Sequence, residues 1–189
     1  MRAYLRSIAG MFIAIPSLGL GVGAATAVAD TGATSSTGNA SVHIVINGVT
    51  KVDKGAGGAS APVGSTAIAI RGSEAYAADS GSTVKAINNS RAFEYGGPGN
   101  TAVAINGSQA FAQAGSGNTV IATNKSYAWT YVGDNNTAIA RNSGYGPFNG
   151  GSAYSYYGSD NTAIAINDSV AGVEFQDGQV RTVINGKAK

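Results

Sequence analysis

From Thr66 onward, apolar and polar side chains alternate in short runs, each closed by Asn, Gly or Ser. TAVAIN (101–106) and SQAFAQ (108–113) are two such runs, separated by Asn106-Gly107-Ser108 and followed by Gly115-Ser116-Gly117. Strict alternation is the period of a strand, and Asn and Gly supply the left-handed backbone of tight turns. The phrase then starts again. Taking the threonine behind the leading Asn or Ser as a marker, copies begin at Thr66, Thr83, Thr101, Thr119, Thr137 and Thr162, in steps of 17, 18, 18, 18 and 25 residues. RTVING near the end reads as a partial seventh copy with its marker at Thr182. A unit of this length is too short for a strand plus a helix but fits one flattened coil of strand, turn, strand, turn. The prediction is an all-β fold, a parallel β-solenoid of six to seven two-strand coils of about 18 residues, stacked about 4.8 Å apart into a body roughly 30 Å tall.

Stacking places equivalent residues in columns, and the columns differ in what they tolerate. Ala69, Ala86, Ala104, Ala122, Ala140 and Ala165 form one, and Ala75, Ala92, Ala110, Ala128, Ala153 and Ala171 another, each without exception. Columns of opposite parity hold Ile68, Lys85, Val103, Ile121, Ile139 and Ile164, and Ile70, Ile87, Ile105, Thr123, Arg141 and Ile166. Unpaired charge is costly inside a protein, so a column that admits Lys85 or Arg141 points outward. The expectation is a thin alanine core with Asn and Ser at its corners. The rival arrangement places isoleucine and aromatic side chains inside and alanine outside.

If alanine points in, two further columns become ladders. Asn88, Asn106, Asn124, Asn142 and Asn167, headed by Arg71, would stack as amides, or serve as turn formers, or both. Tyr76, Phe93, Phe111, Trp129 and Tyr154, with Tyr95, Tyr131 and Tyr156 two positions on, would run as an exposed aromatic strip. An exposed apolar strip of this extent marks a contact surface.

The ends differ from the repeats. MRAYLR leads into the apolar run SIAGMFIAIPSLGLGVGAA and then Ala27-Val28-Ala29, the order of a secretory signal peptide with cleavage after Ala29. Pro16 and several glycines break that run, which is short for a membrane span. Residues 30–40 are small and polar, a flexible leader; SVHIVINGVTKVD (41–53) is a hairpin around Asn47-Gly48 or a capping coil; KGAGGASAPVG (54–64) is a Gly-rich linker. Repeats then occupy 65–172, and the more charged 173–189 reads as a C-terminal cap. Copy five carries seven extra residues, an insertion at 143–151 that is either a tolerated bulge or a loop on a binding face.

Charge narrows the function classes. Cleavage would remove Arg2 and Arg6 from the twelve basic residues and none of the ten acidic ones, leaving ten of each. A neutral chain lacks the basic stripe of a nucleic-acid binder, and no second apolar span follows the leader. With no cysteine there is no disulfide framework. His43 is the single histidine, in an alternating strand, and no Ser/His/Asp or Cys/His set forms around it. Asp134 and Asp160 fall in inter-repeat turns without the calcium-binding pattern of repeat proteins. No cofactor, metal site or enzymatic activity is expected.

One family resemblance rests on the order Ser108, Gln113, Gly115, Asn118, Asn124, with Gly97, Asn100 and Ala102 in the neighbouring copy. This resembles the curlin repeats of bacterial curli fibres, although Asn124 stands where curlin has its second Gln and the period is shorter. The phrases are also similar to the head repeats of trimeric autotransporter adhesins, without their coiled-coil stalk or membrane anchor. Both resemblances imply a structural or adhesive role and no catalysis. The sequence thus predicts a secreted or cell-surface structural or adhesive repeat protein of bacterial type, self-assembling or bound to cell-surface or matrix polymers. The alternatives are a carbohydrate-binding module that uses the aromatic ladder and, more remotely, an ice-binding face built on the threonine column.

Overall fold

A computed structural model describes residues 41–141, 151–185 and 187–188. The expected signal peptide, leader, Asn142 and residues 143–150 of the insertion lie outside the described residues. The strands are β1 (Val42–Ile46), β2 (Val49–Lys54), β3 (Gly58–Ser60), β4 (Thr66–Ile70), β5 (Glu74–Ala77), β6 (Thr83–Ile87), β7 (Arg91–Tyr95), β8 (Thr101–Ile105), β9 (Gln109–Gln113), β10 (Thr119–Thr123), β11 (Tyr127–Tyr131), β12 (Thr137–Arg141), β13 (Ser152–Tyr156), β14 (Thr162–Ile166), β15 (Val170–Glu174), β16 (Val180–Ile184) and β17 (Lys187–Ala188). No helix occurs among the described residues.

Each coil contributes one strand to each of two sheets. Sheet A has the order β17-β16-β14-β12-β10-β8-β6-β4-β1-β2, and sheet B the order β15-β13-β11-β9-β7-β5-β3. Neighbouring coils pair parallel and in register: Thr101, Thr119 and Thr137 align in sheet A, and Phe93, Phe111, Trp129 and Tyr154 in sheet B. The fold is the parallel β-solenoid that the 18-residue repeat predicts.

The core is alanine. All twelve alanines of the two invariant columns are buried, none more than 2% exposed. Inward positions two residues away add Ala67, Val84, Ala102, Val120, Ala138 and Ala163 in sheet A. The isoleucine columns therefore face outward, and the rival arrangement does not occur. So small a core follows from the two sheets meeting face to face within one flattened coil, where only a methyl group fits. Val84 and Val120 are the larger side chains admitted to it.

The corners carry buried polar ladders. Where sheet B returns to sheet A stand Ser65, Ser82, Asn100, Asn118, Asn136 and Asn161, all buried. The Asn100 Oδ1 accepts from the Asn118 N–H at 2.8 Å, Asn118 Oδ1 from Asn136 N–H at 2.9 Å, and Asn136 Oδ1 from Asn161 N–H at 3.0 Å. The Nδ2 groups donate to carbonyls of the next coil, as Asn118 does to Gly133 at 2.9 Å. The opposite corner uses serine. Ser108 Oγ donates to Ile105 C=O at 2.7 Å and accepts from the Ser126 N–H at 3.1 Å. Buried polar groups are tolerable only when paired, and these pairs repeat with the coil.

Four details differ from the sequence expectation. The stretch 54–64 contains β3, which pairs parallel with β5 and opens sheet B, so it is more than a linker. Its alternation is only three residues long, too short to stand out among glycines. The seventh marker is Val180 rather than Thr182, because Thr162 pairs with Val180 and Thr182 falls opposite Ile164. The C-terminal segment begins inside β15, whose last residue is Glu174. Finally, 41–53 is both hairpin and cap: β1 pairs antiparallel with β2 and with β4, closing sheet A over the first coil.

Glu94 is the exception in the core. It occupies the inward column of Ala77, Ala112 and Thr130 with no exposure at all. Its Oε2 accepts from the Ala78 and Asp79 N–H groups at 2.9 and 3.0 Å, and its Oε1 from Asn100 Nδ2 at 3.1 Å. The coil that starts at Thr66 has 17 residues and Ser82 in place of the corner Asn. Ser82 Oγ accepts from the Asn100 N–H at 3.3 Å, as the corner Asn Oδ1 does elsewhere, and the Glu94 carboxylate caps the two turn amides of this shorter coil.

Candidate contact surface

The outward positions of sheet B carry the rings. In β7, β9, β11 and β13 the central residue points away from the alanine core, which places Phe93, Phe111, Trp129 and Tyr154 on one line. Coil spacing is close to the stacking distance of aromatic rings, so in-register repeats convert a sequence column into a stack. Phe93 and Phe111 stack at 5.5 Å with planes 12° apart; Trp129 and Tyr154 stack at 4.9 Å and 16°. The run is continuous but bends between columns. It passes from Tyr76 to Tyr95 (5.4 Å), Tyr95 to Phe93 (5.8 Å), Phe111 to Tyr127 (5.4 Å) and Tyr127 to Trp129 (4.7 Å). A second run joins Tyr131, Tyr156, Tyr157 and Phe175, with Tyr131 and Tyr156 stacked at 4.9 Å.

All eight rings singled out in the sequence lie in these two runs. Tyr127 and Phe175 were not singled out, and Tyr157 stood out only as an aromatic near the fifth-copy insertion, not as part of a ladder. Tyr127 stands in a column that otherwise reads Gly58, Glu74, Arg91, Gln109, Ser152 and Val170, so no column rule marks it. Tyr157 and Phe175 follow the strands, in left-handed backbone at φ 52° and 54°. Their 18-residue separation was the available signal. At the end of the first run, Tyr154 lies over Gly172: a Cβ there would come within 2.0 Å of the ring.

Burial among neighbours raises the hydroxyl pKa of Tyr127 above the ordinary tyrosine value. Tyr95 is raised by burial first, then by Tyr76 and Glu74. Tyr154 is raised by burial and by Glu174, to which it is hydrogen-bonded, against a lowering by Arg181. These three hydroxyls are therefore neutral over the physiological range. The face carries few charges. Arg91 and Glu74 pair at 3.1 Å, and Glu174 is engaged by Tyr154.

Sheet A presents a different exterior. Thr66, Thr83, Thr101, Thr119, Thr137 and Thr162 align in one column, beside Ile68, Lys85, Val103, Ile121, Ile139 and Ile164. Lys85 interrupts the apolar column and Arg141 interrupts the next, between Thr123 and Ile166; neither is in an ion pair among the described residues. The column of Asn88, Asn106, Asn124 and Asn167 lies at the turn behind this sheet. Arg71 Nη1 donates to Asn88 Oδ1 at 3.1 Å, Asn88 Nδ2 to Asn106 Oδ1 at 2.6 Å, Asn106 Nδ2 to Asn124 Oδ1 at 2.9 Å, and Asn167 Nδ2 to Asn185 Oδ1 at 2.9 Å. The same residues have φ near +59° (Asn167, 54°). They are ladder and turn formers at once.

Other candidate chemistry is structural. His43 faces inward in the cap, with Nδ1 2.6 Å from Asp53 Oδ1. Asp134 Oδ1 accepts from the Ser116 N–H at 2.6 Å, and Asp160 Oδ1 from Asn135 Nδ2 at 3.3 Å, so both brace turns. Among the described residues no three His, Cys, Asp or Glu side chains are grouped to hold a metal ion, and no helix is long and apolar enough to cross a membrane. No family model matches the chain, and no curated protein or solved structure matches it either.

Proposed function

We propose that the chain is a secreted or cell-surface, non-enzymatic structural or adhesive repeat protein, and that the aromatic face of sheet B is its contact surface. The observation that carries this is the continuous ring run from Tyr76 to Tyr154, outward on a rigid stack with its few charges partnered in place. The resemblance to curlin and autotransporter-head repeats supports the same class. The signal-peptide pattern of residues 1–29 supports export.

The ring geometry favours apolar docking over sugar stacking. Near-parallel rings with centroids 4.9–5.5 Å apart stack on one another, so the faces they share are occupied by neighbouring rings. A pyranose needs an open face. The test is retention of the chain on cell-envelope and matrix polymers, comparing the parent with Phe111→Ser/Trp129→Ser and with the opposite-face control Ile121→Ser. The account expects retention to fall in the ring variant alone. Equal retention of all three would contradict it.

A further inference from the structure

The occupant of the ring face is open to inference, given that this face is the contact surface. Sheet A is closed at both ends by antiparallel strands, β2 beyond β1 and β17 beyond β16. A coil of a second copy placed on β2 or β17 would meet a strand of the opposite direction, not the parallel in-register edge that joins coils within the stack. Sheet B ends in β3, which is three residues long, and in β15, where Arg181 Nη1 donates to the Gly172 carbonyl at 3.1 Å. Copies are therefore not built to join end to end, and association must be lateral.

The two lateral faces differ in what contact would bury. On sheet A, Lys85 and Arg141 would enter an interface without an acidic partner, a costly burial. On sheet B, Arg91 already has Glu74, and Glu174 has Tyr154. Six rungs at about 4.8 Å and five residues at about 3.3 Å give roughly 1,000 Å² over two copies, the lower bound for a specific interface. The full chain carries a formal charge of only +2, so self-repulsion is weak.

We propose that the ring face of sheet B pairs with the ring face of a second copy of this chain, coil against equivalent coil, about a two-fold axis parallel to the stacking direction. The central column (Phe93, Phe111, Trp129) then meets itself. The strands run in opposite directions, so each flanking column meets the other. Gln109 faces Gln113 of the second copy, Tyr127 faces Tyr131, and Arg91 faces the edge of Tyr95. No like charges oppose one another. The alternative antiparallel arrangement instead sets coil three on coil four, with Gln109 opposite Tyr127.

Sedimentation velocity on the purified chain tests this, with three variants checked for unchanged far-ultraviolet circular dichroism and melting. The parent forms one discrete dimer. Gln109→Glu/Gln113→Glu opposes two like-charge pairs across the axis and weakens the dimer by more than about 100-fold. Gln109→Lys/Gln113→Glu restores opposite charges and keeps it. Ile121→Ser, on the other face, changes nothing. A parent that stays monomeric at millimolar concentration overturns the second copy as occupant; polymer retention that still depends on Phe111 and Trp129 would then leave the contact surface standing. Loss of that dependence, with the dimer intact, would overturn the adhesive reading instead. Equal weakening by both charge variants, a series of larger species, or a dimer sensitive to Ile121→Ser overturns the two-fold geometry.

Discussion

Asparagine does two jobs in this chain, and burial separates them. Asn118 is fully buried, and its Oδ1 and Nδ2 each hold the next coil; Asn106 is exposed, and its main contribution is a backbone at φ 59°. Asn118→Ala leaves the Asn136 N–H and the Gly133 carbonyl without partners, at about 1–3 kcal/mol for each buried group. Asn106→Gly keeps the left-handed turn and loses only two exposed amide hydrogen bonds, to Asn88 and Asn124, so it costs at most about 1 kcal/mol. Urea unfolding of the two variants beside the parent measures the contrast. The sequence showed the Asn106 column clearly. It did not reveal that the leading Asn of each copy is the deeper ladder, because burial of a corner depends on which face closes inward. Glu94 was equally illegible: it is one carboxylate in a column of small residues, and its role emerges only from the amides it caps.

The ring ladder gives a pH prediction at the same scale. Tyr127, Tyr95, Tyr154 and Tyr156 all have pKa values raised above 10.0, with burial as the leading cause. A raised pKa means that the folded state holds its proton longer than the unfolded chain. The stability tied to these hydroxyls is therefore complete below pH 10.0 and is lost as pH rises from there through the folded values. Phenolate absorbance should lag in the native chain relative to the chain in denaturant, with unfolding following ionisation. Coincident titration curves would contradict the burial of these rings.

A single coil is the natural element, and its corners are as demanding as its strands. Gly115, Gly133 and Gly158 align where sheet B turns back, each pressed against the next coil's backbone. A Cβ on Gly115 would lie 2.0 Å from the Gly133 carbonyl oxygen. Backbone paired on both sides cannot yield, so Gly115→Ala should destabilise by more than about 3 kcal/mol, read as a drop in the denaturant midpoint. Gly99→Ala is the control: its nearest contact is 4.0 Å away, and only its φ of 75° resists, at about 1 kcal/mol. The two-strand coil and its register were legible because alternation and the threonine marker repeat over six copies. The element β3 was not, since three residues among glycines carry no period. The end strand β16 was misplaced by two residues because Thr182 imitates a marker that Val180 occupies.

At the scale of the whole stack, one coil buries almost nothing and six bury a continuous alanine seam. That division sends the isoleucines of the repeats outward on sheet A and the rings outward on sheet B, with Val84, Val120 and Val183 the larger apolar side chains in the core cluster. The alternation alone allowed either parity, and Lys85 and Arg141 decided it, because an unpartnered charge is too costly to bury; Glu94, the carboxylate that does enter the seam, is capped by three N–H donors. The adhesive reading follows from this inversion of the usual pattern, in which large apolar residues fill the core. The chain has no cysteine, so single introduced thiols report parity directly. The decisive measurement is the rate of thiol labelling under native conditions for Ala104→Cys beside Val103→Cys and Phe111→Cys. With alanine inward, the thiols at 103 and 111 react readily, while the thiol at 104 reacts only after unfolding. Fast labelling at 104 with protection at 103 and 111 would place the large side chains inside and contradict the account.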